Sequence, residues 1–230
     1  MQTATYSNTS TDSHDRLIAA WLFVCCGMVF AMVILGGITR LTGSGLSMVE
    51  WDPIFGIIPP LDQETWNEDF DLYKQSPEYQ KINAGMSLHE FKSIFYFEYG
   101  HRVLGRTIGL AFLLPFLYFL FRGRIRHSLR PKLVIMFVLG GMQGLLGWYM
   151  VKSGLVDKPH VSQYRLTAHL AAAIAIYGYI LWVALGLYYV MPRMFTREVY
   201  RIIRPHWIFA LFLSVAVLVF GYFFLFQRCA

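Results

Sequence analysis

Of the chain's 230 residues, 56% are hydrophobic and 17% aromatic, while charged residues make up 15% and the formal net charge is +6. Soluble domains carry about 25% charged residues, so this composition excludes an ordinary water-soluble globule and reads as a membrane protein. The positive charge lies in loops between apolar stretches, which accounts for it without a nucleic-acid partner.

Residues 1–16 form a polar tail, rich in Ser and Thr and carrying Asp12 and Asp15. Acids make a poor organellar transit peptide and no cleavable signal pattern is present, so the first apolar stretch is expected to be a retained helix. It runs over 17–38 and is closed by Arg40. Further stretches long enough, at about 1.5 Å per residue, to cross roughly 30 Å of hydrocarbon run from before His101 to Phe121 and over 133–151, 164–191 and 207–226. The expected fold is an all-α integral membrane protein. It comprises a four-helix transmembrane bundle over 17–191 and, within 192–230, a linker and a fifth transmembrane helix.

Orientation follows the arginines. Residues 122–132 contain Arg122, Arg124, Arg126, Arg130 and Lys132 with no acid, and the segment after the fourth span contains Arg193, Arg197, Arg201 and Arg204 against Glu198 alone. Positive loops stay cytoplasmic, which puts the amino terminus in the cytoplasm and the segment 40–97 outside, in a bacterial inner membrane rather than a mitochondrial one.

The external segment 40–97 has the features of a folded cap. It holds most of the acids and no cysteine, so no disulfide can staple it; Cys25 and Cys26 lie in the first span. Trp51, Pro53, Gly56, Pro59 and Pro60 shape its entry, and Trp66, Phe70 and Tyr73 recur at helical spacing. Two uses of that stripe are open: a helix lying on the membrane surface, or a lid over a site. Ser87, with Glu90 three residues on, reads as a capping box that starts a helix leading into the second span.

The second and fourth spans run in the same direction, and each meets a histidine near its outer end, His101 and His169, so the imidazoles can sit at one depth. Glu98 precedes His101 by three residues and shares its helix face. A titratable side chain in a bilayer is costly to hold, and a lone one commonly serves as a hydrogen-bonded link between helices. Two at matched depth, one with a carboxylate beside it, point instead to a bound haem or metal, and imidazole suits iron.

Arg40, Arg102, Arg106 and Arg165 surround the same level, where they either meet haem propionates or snorkel to the headgroups. Gly105 with Gly109, and Gly140 with Gly144 and then Gly147, form GxxxG patterns that serve close helix contact or leave room for a flat macrocycle. His14, His89, His127, His160 and His206 lie in tails, loops or span edges and carry no assigned chemistry.

Several separated runs then match one family in order. They are Gly36-Gly37-Ile38-Thr39-Arg40-Leu41-Thr42-Gly43-Ser44-Gly45-Leu46-Ser47-Met48, Ile57-Ile58-Pro59-Pro60-Leu61, Glu90-Phe91-Lys92-Ser93-Ile94, Glu98-Tyr99-Gly100-His101-Arg102 with Gly105-Arg106, and Tyr164-Arg165-Leu166 leading to Ala168-His169-Leu170. Together they resemble the haem A synthase family, in its mitochondrial and related bacterial branch, from about residue 17 to about 189. The cap without cysteines agrees with that branch, since another carries a cysteine pair there.

The resemblance implies an oxidoreductase that converts the methyl group at carbon 8 of haem O to the formyl group of haem A for cytochrome oxidase assembly. It makes Glu98 the catalytic carboxylate and His101 and His169 the histidines flanking the substrate haem iron. A carboxylate in a water-poor pocket is suited to take a proton as a substrate carbon is oxidised. Implied partners are the lipid bilayer, haem O, a haem O synthase, an electron donor, oxidase assembly factors and a second copy of the chain.

The family carries two such repeats, the later one holding a haem b cofactor between a second histidine pair. No such pair follows here, so the sequence reads as a truncated form, the first half plus one helix, or as a half that is completed by another copy. Two rival readings remain: a cytochrome b-type electron carrier with a permanent haem, and an inactive haem-binding or assembly remnant.

Overall fold

The computed structural model describes residues 9–49, 58–155 and 161–188. The expected fifth span over 207–226 and the linker before it lie outside the described residues, as does Trp51 in the entry to the cap. Six helices occupy the described chain: α1 (Thr9–Leu41), α2 (Gln63–Lys74), α3 (Pro77–Lys81), α4 (Leu88–Phe121), α5 (Arg130–Gly154) and α6 (Gln163–Tyr188). Of these, α1, α4, α5 and α6 are long and apolar enough to cross a membrane. The protein is an all-α integral membrane protein.

The helix boundaries follow local chemistry. The Ser87 hydroxyl accepts from the Glu90 amide at 3.3 Å while the Glu90 carboxylate accepts from the Ser87 amide at 2.8 Å, so the expected capping box starts α4. This helix of 34 residues is about 51 Å long, so some 20 Å of it stands beyond the hydrocarbon and carries the cap. By contrast, α1 begins at Thr9, inside the expected polar tail. Asp15 lets the helix extend there, because the Arg126 guanidinium meets its buried carboxylate at 2.8 Å.

Inside α4, Pro115 has no N–H to give the Ala111 carbonyl four residues back. The indole N–H of Trp21, from α1, donates to that carbonyl at 2.8 Å. A freed backbone acceptor within the span thus has a partner, as a bilayer requires.

In the bundle, α1 packs on α4 and α6, and α5 packs on the same two helices. The histidine-bearing helices α4 and α6 therefore stand on one diagonal of the bundle. The core lies at the end that carries the arginine-rich turn, where Ile18, Leu22, Cys25, Phe112, Phe116, Leu133, Met136, Ile180 and Leu187 are buried together. Towards the cap the packing changes. No described residue is buried within 27–38 of α1, 99–111 of α4, 137–153 of α5 or 163–179 of α6. The bundle is closed at one end and loosely filled at the other.

The cap consists of α2, α3 and their flanking turns, set against the projecting start of α4. Trp66, Phe70 and Tyr73 are buried against Phe91 and Phe95, with ring centroids 4.9 Å apart for Trp66 and Phe95 and 5.0 Å for Phe70 and Phe91. The apolar stripe of α2 is consumed by α4. That removes the membrane-surface use of the stripe, because the same face cannot be buried twice.

Candidate functional site

The turn after α1 builds a clasp around Glu98. The helix stops where Gly43 adopts φ +66°, a left-handed conformation that favours glycine, and the Ser44 amide bonds back to the Thr39 carbonyl at 2.9 Å. Ser44, Leu46 and Ser47 turn inward and are buried. Ser47 Oγ then donates to Glu98 Oε2 at 2.7 Å, and the Met48 amide donates to the same oxygen at 3.0 Å.

Arg102, one turn along α4, donates to Glu98 Oε1 at 2.5 Å and to the Met48 carbonyl at 3.0 Å. Both carboxylate oxygens are engaged, and Glu98 is only 3% exposed. A cavity of ≈ 390 Å³ lies between this clasp and the cap, with Ser47, Met48, Phe95 and Arg102 on one side and Asp62 and Asp69 on the other.

His101 lies against α1. A methyl group built on Gly36 would come within 3.2 Å of its Nε2, so a larger residue there would press the ring out of its place by a few tenths of an ångström. His169 lies against α5 in the same way: a methyl group on Gly147 would meet its Cε1 at 3.0 Å. The Gln143 side-chain amide donates to the His169 carbonyl at 2.8 Å, and Nδ1 of His169 is buried without a hydrogen-bond partner among the described residues. Both imidazoles occupy the loosely packed half of the bundle, each leaning on a bare stretch of the neighbouring helix.

The other glycines there bear on the space. A methyl group on Gly105 would touch Met32 Cε at 3.3 Å, which is a true close contact. Methyl groups on Gly109, Gly140 and Gly144 would meet nothing within 4 Å among the described residues, so these three form no seam between the described helices. Two imidazoles on diagonal helices, each bedded against a glycine of a neighbouring helix in the loosely packed half of the bundle, are a donor set that suits haem iron. Among the described residues no three of His, Cys, Asp and Glu converge as a metal cage.

The four arginines separate. Arg102 donates to Glu98 and to the Met48 carbonyl. The Arg165 guanidinium donates to the Ser153 hydroxyl and lies 4.9 Å from the Tyr149 ring centre, bracing α6 on α5. Arg40 sits in the last turn of α1 and Arg106 on α4 one turn beyond Arg102, both half-buried.

Within the cap, Glu78 is buried and accepts a 3.1 Å hydrogen bond from the Tyr73 hydroxyl, which itself accepts from the Asn83 amide at 2.7 Å. Burial pushes the Glu78 carboxyl up to about 7, the Tyr73 hydrogen bond opposing it and the Glu98 charge adding to it.

Sequence reasoning assigned no role to Ser47, Met48, Gln143, Gly36 or Glu78. The Gly-Ser-Gly run after α1 signals a tight turn, but no spacing rule joins Ser47 to a carboxylate 51 residues away.

The sequence profile described as COX15-CtaA, cytochrome oxidase assembly protein, matches residues 19–224. A protein named haem A synthase from Nitrosospira multiformis is 64% identical over 173 residues, 75% of this chain and 49% of that protein. One of the same name from Nitrosomonas eutropha is 56% identical over 181 residues, 79% and 51% of the two chains. Another, from Rhodospirillum centenum, is 49% identical over 208 residues, 90% and 55%. The chain thus spans about half the length of these relatives. No solved structure gives a significant match.

Proposed function

Because this chain belongs to the COX15-CtaA family of cytochrome oxidase assembly proteins, we propose that it forms the haem O site of a haem A synthase, where the methyl group at carbon 8 becomes the formyl group of haem A. One observation carries the reading. The bundle is packed at one end and loosely filled at the other, and that second half is where His101 and His169 stand on diagonal helices, His101 against Gly36 of α1 and His169 against Gly147 of α5.

In this reading His101 and His169 hold the iron of haem O. Arg40 and Arg106 would meet its propionates, and Arg165 sets the register of α6 on α5. The bound haem would supply the redox centre; when water provides the oxygen atom, the methyl carbon gives up four electrons, and of the four protons released two come from the methyl group and two from water. Glu98 takes up a proton released at that carbon. Arg102, Ser47 and the Met48 amide are positioning groups, fixing where the carboxylate stands. The cavity under the cap, which Ser47 and Arg102 share with Asp62 and Asp69, would give released protons a way out.

The protein is a bacterial membrane protein, and we place its arginine-rich turn in the cytoplasm and its cap outside. The electrons would go to a separate haem b, which a second histidine pair outside this site would hold. A haem O synthase, an electron partner and oxidase assembly factors belong to the same reading.

The test is extraction and chromatography of haem from membranes containing the protein, alone and in a full-length context. His101→Ala or His169→Ala should disturb the haem spectrum, and Glu98→Gln should retain haem O and end formyl production. Normal turnover with Glu98→Gln would remove the role given to Glu98. Tightly held haem b alone, with no exchangeable haem O or haem A, would favour an electron carrier instead.

A further inference from the structure

His169 is held from α5 by two residues, and one of them is only half used. Gln143 and Gly147 stand four residues apart on α5 and so face the same stretch of α6. Gly147 offers bare backbone to the imidazole: a methyl group there would lie 3.0 Å from Cε1 and 3.6 Å from each ring nitrogen. Gln143 reaches the same residue from one turn away, its amide donating to the His169 carbonyl at 2.8 Å.

Two further polar atoms of these side chains, Gln143 Oε1 and His169 Nδ1, are both buried, and neither has a hydrogen-bond partner among the described residues. A buried polar atom left unpaired costs about 1–3 kcal/mol. Each of these atoms is what the other lacks, since an imidazole nitrogen bearing hydrogen donates and an amide oxygen accepts. Flipping the amide would not help, because the His169 carbonyl needs the N–H.

We infer that Gln143 is a positioning residue for His169, its amide oxygen accepting the Nδ1 proton so that Nε2 presents its lone pair to haem iron. The inference rests on the haem reading given above. Neutral imidazole carries one ring hydrogen, so the nitrogen that donates decides which nitrogen is free to ligate. The amide is already tethered to this residue, so the pairing calls for side-chain rotation rather than helix movement. An acceptor on Nδ1 also pushes electron density onto the ring and favours ferric iron.

The experiment titrates ferric haem into the detergent-solubilised chain and reads affinity, visible spectrum and midpoint potential. The proteins compared are the wild type, His169→Ala, Gln143→Leu, Gln143→Asn and Gln143→Glu, with helicity checked by circular dichroism. Gln143→Leu should weaken haem binding about 10–100-fold and raise the potential. Gln143→Asn, which keeps the amide but shortens its reach, should raise the potential likewise without burying a charge. Gln143→Glu, a stronger acceptor, should lower it below the wild type.

Unchanged affinity and potential in Gln143→Leu and Gln143→Asn, or a rise in potential in a folded Gln143→Glu, would overturn the inference. Equal haem binding by the wild type and His169→Ala would overturn the haem reading beneath it, and that result is separable because it does not involve Gln143.

Discussion

The Ser47 hydroxyl donates a 2.7 Å hydrogen bond to the Glu98 carboxylate across 51 residues of sequence, tying the turn after α1 to the middle of α4. Met48 and Arg102 complete the clasp, and their removal should be graded. Arg102→Met leaves a buried carboxylate without its counter-charge, a loss of about 3–5 kcal/mol. Ser47→Ala removes one hydrogen bond to a charged group, a loss of about 1.5–3 kcal/mol. Thermal unfolding in detergent should rank Arg102→Met below Ser47→Ala, and Glu98→Gln in the Arg102→Met background should recover part of the loss.

Gly36→Ala and Gly147→Ala should disturb the histidines while helping the helices. Alanine is favoured over glycine in a helix interior by about 1 kcal/mol, so propensity alone predicts stabilisation. The added methyl groups would meet His101 Nε2 at 3.2 Å and His169 Cε1 at 3.0 Å. Haem titration should therefore show weaker binding and a changed spectrum in both variants. Gly37→Ala, which meets nothing within 4 Å, should raise the melting temperature slightly and leave the spectrum unchanged.

The cap should loosen as the pH rises. Burial raises the Glu78 carboxyl from 4.5 to about 7, so the folded cap favours its neutral form. The associated stability, about 3 kcal/mol at most, is fully present below 4.5 and is lost between there and about 7. Limited proteolysis of the cap across that range should show growing cleavage, and Glu78→Gln should flatten the dependence.

Trp21→Phe should destabilise the bundle by about 1–3 kcal/mol, since it leaves the Ala111 carbonyl without a donor inside the span. Pro115→Ala restores an N–H to that carbonyl. The double variant should therefore regain most of the loss, a coupling readable from unfolding of the four proteins in detergent.

Orientation is checked by fusion reporters. An enzyme active only outside the cytoplasm should work when inserted within residues 62–80 and fail when inserted near Arg126. The reverse pattern would invert the bundle and with it the side on which the haem site opens.

Much of the fold was legible because its signals are local. Ser87 and Glu90 cap α4 by a rule spanning three residues, and Trp66, Phe70 and Tyr73 mark the face of α2 by period alone. The helical form of residues 9–16 was not legible, for the complementary reason: this polar stretch belongs to α1, and its tie from Asp15 to Arg126 comes from a distant turn.

The sequence by itself determined the membrane class, the apolar spans and the two histidines with their neighbouring carboxylate, because hydropathy and helical period are properties of adjacent residues. Only the tertiary structure decided that α4 and α6 stand diagonally, that Glu98 is clasped by Ser47, Met48 and Arg102, that α2 spends its apolar face on α4, and that Gly36 and Gly147 bed the imidazoles. Each of these depends on which surfaces meet after the chain has turned. In a bilayer that choice follows side-chain packing and the pairing of buried polar groups rather than hydrophobicity, which is nearly uniform along every span.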